Sequence, residues 1–208
     1  NLHFSFLPSL RGASPVQTAI ASGLKTTGVS LQKMVLRLDS GPLAVCSGEV
    51  EILQDDTTPM LGTRLSEVGG DLIRQNLQNI LEGNFTLTEQ NESKATYCSI
   101  IKKEDGHLNW KEETAHVIER KLRAYTPWPG IFSFYKIKSK SDSRHRLQFT
   151  KAELVQGNFE CGKIYPDLTV GAQTDGLKIL YLKPEGKKEM DADSFLRGNA
   201  EILGTVLE

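Results

Sequence analysis

The sequence predicts an α/β half followed by a small β-barrel, joined by a polar stretch. Three observations carry that prediction. Residues 1–53 alternate short strand-like and helix-like pieces, the pattern of a mixed α/β sheet. Apolar residues at Leu61, Leu65, Val68, Leu72, Leu77, Ile80 and Leu81 keep one face of a helix apolar. From Ile131 onward the apolar period changes to two, in short runs at close spacing, as in a small barrel.

The elements follow in order. Residues 2–6 read as a strand, and Ser14-Pro15 opens a helix with a capping side chain and a proline at its first position. That helix, over residues 15–22, stops at Gly23. Residues 28–36 and 43–52 are β-branched or apolar strands separated by Asp39-Ser40-Gly41-Pro42. Thr57-Thr58-Pro59 opens the long helix, which ends at Gly83 and is expected to bend or split at Gly69-Gly70. Residues 84–110 are polar and read as a linker with little core. A helix over residues 114–124 runs into Pro127-Trp128-Pro129-Gly130, where two prolines forbid continuation. Strands are expected at 131–137, 146–154, 168–172 and 177–182, then a short helix at 191–197 capped by Asp191. The resulting divisions are 1–83, 84–110 and 111–208.

Composition narrows the class of protein. Of 208 residues, 38% are hydrophobic and 25% charged, which excludes disordered and collagen-like chains. A net charge of −1 gives no global attraction to nucleic acid, although residues 133–188 carry 11 basic against 6 acidic groups. No apolar run reaches the roughly 20 residues that span a bilayer. Cys46, Cys98 and Cys161 are odd in number and far apart, matching neither a disulfide framework nor a metal set, so a cytoplasmic protein without a metal is expected. The chain opens without Met in apolar, strand-like sequence, as a piece of a longer protein would.

Two residues stand out for chemistry. His3 ends a strand, where ligands of α/β sheets gather, and serves either as a structural hydrogen bonder or as an acid–base group. Asp39 is either a turn cap or a carboxylate able to orient an imidazole and take a proton. Lys136, Lys138, Lys140, Arg144, Arg146 and Lys151, with Lys187 and Lys188, form either a solvated face or a phosphate-binding patch. His107, His116 and His145 read as surface residues, and Trp110 and Trp128 as packing anchors.

The blocks Asn1-x-His3-x-Ser5-Phe6-Leu7-Pro8, Arg11-Gly12-Ala13-Ser14-Pro15, Gly28-Val29-Ser30 and Leu38-Asp39-Ser40-Gly41 together resemble the folate-dependent formyltransferases. Glu104-Asp105-Gly106-x-Leu108-x-Trp110, the Arg123–Gly130 stretch around its two prolines, and Leu182-Lys183-Pro184-Glu185-Gly186-Lys187-Lys188 are similar to the branch acting on methionyl initiator tRNA. The resemblance implies the later part of a Rossmann-like catalytic domain, lacking its N-terminal portion, then a linker and an OB-like barrel that grips tRNA. It implies transfer of a formyl group from 10-formyltetrahydrofolate to the amine of methionyl initiator tRNA, by a monomer in translation initiation. Asn1, His3 and Asp39 are then the catalytic set, and Ser5, Phe6, Leu7 and Pro8 the folate-contacting loop. Phe6 replaces the family's Leu, and Arg37 its Gly, with Arg37 expected to point away from Asp39. Amino-sugar nucleotides are the alternative acceptors, and a non-catalytic RNA-binding module is the alternative of a different class.

Overall fold

The computed structural model describes residues 1–136 and 144–208. Two units form, Asn1–Ile101 and Lys102–Glu208. Strands of the first unit are short: β1 (Leu2–His3), β2 (Arg11–Gly12), β3 (Thr26–Thr27), β4 (Ser30–Gln32), β5 (Leu43–Cys46), β6 (Val50–Glu51) and β7 (Tyr97–Cys98). Its helices are α1 (Pro15–Ala21) and α2 (Thr58–Glu82).

The antiparallel sheet β1-β4-β5 positions the candidate site, with His3 opposite Ser30 and Leu2 opposite Leu31. The other strands pair as β2-β7, parallel, and β3-β6, antiparallel. Both long strands expected from the sequence are cut short. After Gln32 the chain leaves the sheet and returns in a loop closed by Lys33 N–H on Pro42 O at 3.0 Å. The run over 43–52 breaks at Ser47, whose hydroxyl takes the Val29 N–H and donates to Gly48 O. Such local side-chain bonding competes with ladder formation.

Helix α2 is continuous through Gly69-Gly70, so the helix does not split there. The reason is packing. Gly69 is buried against Leu2, Phe4 and Val29, so its missing side chain lets the helix approach the sheet. Leu61, Leu65, Gly69 and Leu72 form the buried stripe, but Leu77, Ile80 and Leu81 are exposed. The helix ends on Gly83 in the left-handed region, with Asn84 N–H on Asn79 O.

The second unit holds α3 (Ala115–Ala124), β8 (Ile131–Lys136), β9 (Arg144–Val155), β10 (Thr169–Gly171), β11 (Gly176–Pro184), β12 (Met190–Asp191) and α4 (Ala192–Gly198). Thr114 and Asp191 cap the two helices, accepting from Val117 N–H and Ser194 N–H. The antiparallel sheet runs β10-β11-β9-β8, with β12 on β11. Among the described residues the strands form an open sheet and no closed barrel. Irregular backbone covers the free edges instead: Glu208 exchanges two hydrogen bonds with Phe134 of β8, and Ile164 bridges Val170 of β10.

The stretch expected as a linker is divided between the units and contributes to both. Tyr97 and Cys98 complete a strand pair of the first unit. Leu108 and Trp110 lie in the core of the second, where Trp110 Nε1 donates to Ser133 Oγ at 2.7 Å. Trp128, by contrast, is exposed. No helix among the described residues is long and apolar enough to cross a membrane.

Gly70 is solvent-exposed on α2 and a Cβ there meets nothing within 4 Å. Gly70→Ala is therefore expected to stabilise the first unit by about 0.8–1 kcal/mol, the helix-propensity difference. Gly69→Ala should give less, because its Cβ lies 3.2 Å from Leu2 Cδ1. Urea unfolding midpoints at constant slope test the pair.

Candidate active site

Sheet β1-β4-β5 brings together residues far apart in the chain. Asn1 and Gln32 exchange both backbone hydrogen bonds, at 2.8 and 2.9 Å. With His3 opposite Ser30, strand alternation places the side chains of Asn1, His3, Ser30 and Gln32 on one face. The loop leaving β4 then returns Asp39 to that face.

His3 is 6% exposed, and its Nε2 lies 2.8 Å from Leu10 O. A carbonyl can only accept, so Nε2 carries the hydrogen and Nδ1 is the nitrogen left for chemistry. Nδ1 faces Asp39 Oδ1 at 3.7 Å. The resemblance gives Asp39 the task of holding the imidazole tautomer, but here the Leu10 carbonyl does so. That carbonyl also accepts from Cys98 Sγ at 3.3 Å. Burial pushes the Cys98 thiol up, so it acts as a protonated donor there.

Asp39 is held on several sides. Oδ2 accepts from Gly12 N–H at 2.9 Å and Oδ1 from Gln32 Nε2 at 2.8 Å. Gly12 has φ +123°, and a Cβ there would lie 2.0 Å from Cys98 O, so only glycine lets this N–H reach the carboxylate. The loop carrying Asp39 is anchored by Gln90, whose Nε2 donates to Asp39 O at 2.9 Å and Gly41 O at 2.6 Å. Gln90 Oε1 in turn accepts from Arg11 Nε and NH2 at 3.0 and 2.8 Å. Arg11, 0% exposed, also reaches Glu92 through both terminal nitrogens. That hydrogen bonding holds the Glu92 carboxyl below its usual range and raises the Arg11 guanidinium. Arg37 bonds Glu92 at 3.0 Å and Tyr97 OH at 3.0 Å, away from the Asp39 carboxylate.

The loop over Ser5, Phe6, Leu7 and Pro8 is fixed by Ser30, whose hydroxyl donates to Ser5 O at 2.7 Å and accepts from Leu7 N–H at 3.0 Å. The Leu7–Pro8 bond is cis. Ser5 and Leu7 turn inward, with Ser5 Oγ donating to Ser9 O, so Phe6 and Pro8 are the half-exposed members. The Phe6 ring occupies the space beside Gly28, where a Cβ would lie 2.2 Å from it.

The basic residues expected to form a phosphate-binding patch do not share one environment. Lys138 and Lys140 lie outside the described residues. Lys136 and Arg144 pair with Glu208 at 2.9 and 3.3 Å, and Lys136 first of all draws the Glu208 carboxyl down. Arg146 and Lys187 line a cleft of about 350 Å³ together with Gln148, Lys183 and Glu185. Arg146 stacks over Phe132 at 3.9 Å and Arg144 over Phe134 at 4.0 Å. Lys188 follows Lys187 outside that lining, and Lys151 lies opposite Tyr181 on β9.

Sequence reasoning assigned no role to Gly12, Ser30, Gln32 or Gln90. One signal was present: Ser30 and Gln32 alternate with apolar Val29 and Leu31, which marks a polar face. Gln90 carries no local signal, since its partners are 49 to 79 positions away.

Arg11→Met removes a buried cation and leaves Gln90 Oε1 unpaired, at an expected cost of about 2–3 kcal/mol. The Glu92 carboxyl titrates below its usual range, so its contribution is present above that range and is lost as pH falls through the lowered value. Unfolding midpoints down the acid limb should therefore decline less steeply in Arg11→Met than in the wild type.

Residues 1–77 match the family model described as formyl transferase, and residues 100–200 the one described as formyl transferase, C-terminal domain. The methionyl-tRNA formyltransferase of Thermodesulfovibrio yellowstonii is 37% identical over 201 residues, covering 95% of this chain and 62% of the relative. That of Koribacter versatilis is 35% identical over 209 residues, covering 98% and 65%. The chain thus spans less than two thirds of the length of these relatives. In fold, it is similar to the N-formyltransferase from Helicobacter canadensis solved with folinic acid and dTDP-3-aminofucose, with TM-score 0.66, 20% identity and coverage of 91% and 65%. The chain belongs to the formyl transferase family.

Proposed function

We propose that this chain serves formyl transfer from 10-formyltetrahydrofolate to the α-amine of methionyl initiator tRNA. The observation that carries the reading is His3 Nδ1 facing a hydrogen-bonded Asp39 carboxylate at 3.7 Å, beside Asn1. The curated relatives supply the acceptor, since both named above are methionyl-tRNA formyltransferases.

The chemistry follows from the donors and acceptors present. 10-Formyltetrahydrofolate, when bound, supplies an electrophilic formyl carbon. Asn1 contributes an exposed carboxamide whose N–H can stabilise negative charge on the formyl oxygen. His3 Nδ1 and Asp39 Oδ1 are two acceptors facing one another at 3.7 Å, so a proton released beside them has a base on either side. The attacking amine loses its proton there. Phe6 and Pro8 offer apolar surface to the folate, and Ser5 and Leu7, through Ser30, hold the loop in shape. A polar donor–acceptor set against an apolar loop suits a pterin-bearing co-substrate.

The second unit is assigned the tRNA, and its sheet with edges covered by irregular backbone is read as OB-like. Arg146, Lys183 and Lys187 present donors from one cleft, a local concentration of charge suited to phosphate.

His3→Ala or Asp39→Asn in the full chain should lower kcat for methionyl-tRNA by about 10²–10⁴-fold, the usual worth of acid–base groups. Retained activity in both variants overturns the assignment, and formylation of an amino-sugar nucleotide alone overturns the acceptor. Arg146→Ala and Lys187→Ala should each weaken tRNA binding and reduce the slope of log affinity against log salt by about 1. An unchanged slope would place the RNA elsewhere.

A further inference from the structure

Gln32 carries a buried acceptor with nothing to accept from. The residue is 4% exposed, and its Oε1 is one of three buried side-chain polar atoms without a hydrogen-bond partner among the described residues. The other two, on Arg146 and Thr150, are in the second unit. The orientation of the Gln32 amide is fixed chemically. Asp39 as a carboxylate only accepts, so the atom 2.8 Å from its Oδ1 must be the amide nitrogen, which makes the far atom the carbonyl oxygen. The β5 register shifts between its partners Leu31 and Gln32, an irregularity of the kind that re-aims side chains beside sites. Gln32 also exchanges both backbone hydrogen bonds with Asn1, so it shares the face of Asn1 and His3.

An orphaned buried carbonyl costs folding free energy unless a ligand satisfies it. Formyl transfer to a primary amine creates that need. When the amine nitrogen bonds the formyl carbon it still bears two hydrogens, of which one leaves as a proton and the other stays in the product amide. The His3–Asp39 pair is suited to the proton that leaves. The hydrogen that stays needs an acceptor that will not take it, and a carboxamide oxygen, being a very weak base, is such a group.

We propose that Gln32 Oε1 binds the acceptor amine, holding the hydrogen that the nitrogen keeps while Gln32 Nε2 fixes Asp39 for the proton it gives up; this rests on the formyl-transfer reading above. In the balanced step the amine nitrogen bonds the formyl carbon and the bond from that carbon to the folate nitrogen breaks. One proton passes from the amine to the His3–Asp39 pair and on to the folate nitrogen. Gln32 neither gains nor loses a proton.

Steady-state kinetics of Gln32→Leu and Gln32→Glu in the full chain test this with methionyl-tRNA and 10-formyltetrahydrofolate varied separately. Gln32→Leu should raise KM for methionyl-tRNA by about tenfold, the worth of roughly one hydrogen bond, and leave KM for the folate within about twofold. Gln32→Glu keeps an acceptor oxygen and should recover part of that loss. It also sets a second carboxylate beside Asp39, which moves the acid limb of the pH–rate profile upward. A fall in kcat with both KM values unchanged in Gln32→Leu would mean that Gln32 acts only through Asp39, overturning the proposal.

Titration of wild-type protein, ¹³C-labelled at glutamine, with methionine methyl ester reads the same contact without a variant. The Gln32 side-chain carbonyl resonance should move on saturation, and a resonance that stays fixed overturns the proposal. Protein that includes the N-terminal portion of the catalytic domain and still transfers no formyl group to any amine overturns the formyl-transfer reading instead, and the carbonyl resonance then still decides the role of Gln32.

Discussion

The constraint on which the first unit depends is a carboxylate that is nearly buried yet faces an imidazole. With a side chain only 10% exposed, Asp39 is stable there because two donors reach it, the Gly12 N–H and the Gln32 amide. Each requirement propagates outward. Gly12 must be glycine to pass beneath the Cys98 carbonyl, and the Asp39 loop must be tied down, a task that falls to Gln90. Gln90 is oriented by Arg11, and Arg11 is satisfied by Glu92 and Tyr97. Neighbours in sequence thus do opposite jobs: the side chain of Arg11 anchors the loop through Gln90, while the backbone of Gly12 binds the acid the loop delivers.

This network also explains why residues 84–101 are ordered despite their polarity. Apolar burial contributes little there. Charge-assisted hydrogen bonds to a fully buried guanidinium hold the segment instead, together with the strand pair of Tyr97 and Cys98 against Arg11 and Gly12. Removing one partner from a buried polar network leaves the other unpaired, so the loss is felt at the site.

The second unit handles charge differently. Lys136 and Arg144 are partly neutralised by Glu208, while the planar faces of Arg144 and Arg146 lie on Phe134 and Phe132. Stacking on a ring leaves the edge of a guanidinium free for a further acceptor, which ion pairing does not. Net charge counted along the strands therefore overstates how much of it is open to a partner. Among the described residues, Arg146, Lys183 and Lys187 share one cleft with Glu185.

Local signals in the sequence located most elements, since caps, prolines and apolar periodicity act over a few residues. Ser14-Pro15, Thr57 with Pro59, Gly83, Thr114 and Asp191 all mark helix ends found in the structure. The same local signals overextended the strands, because nothing in residues 33–36 or 47–49 announces that Pro42 and Val29 will take their backbone partners. They also suggested a bend or split at Gly69-Gly70, where the helix is continuous and the missing side chain of Gly69 makes room for Leu2.

The sequence by itself determined the helices, the change of period at Ile131 and the residue types available for chemistry, because those depend on neighbours along the chain. Only the tertiary structure decided which nitrogen of His3 is free, what holds Asp39, and that Gln32 faces both. Those are matters of direction and distance between segments, and hydrogen bonds are short and directional enough that chain spacing cannot stand in for them.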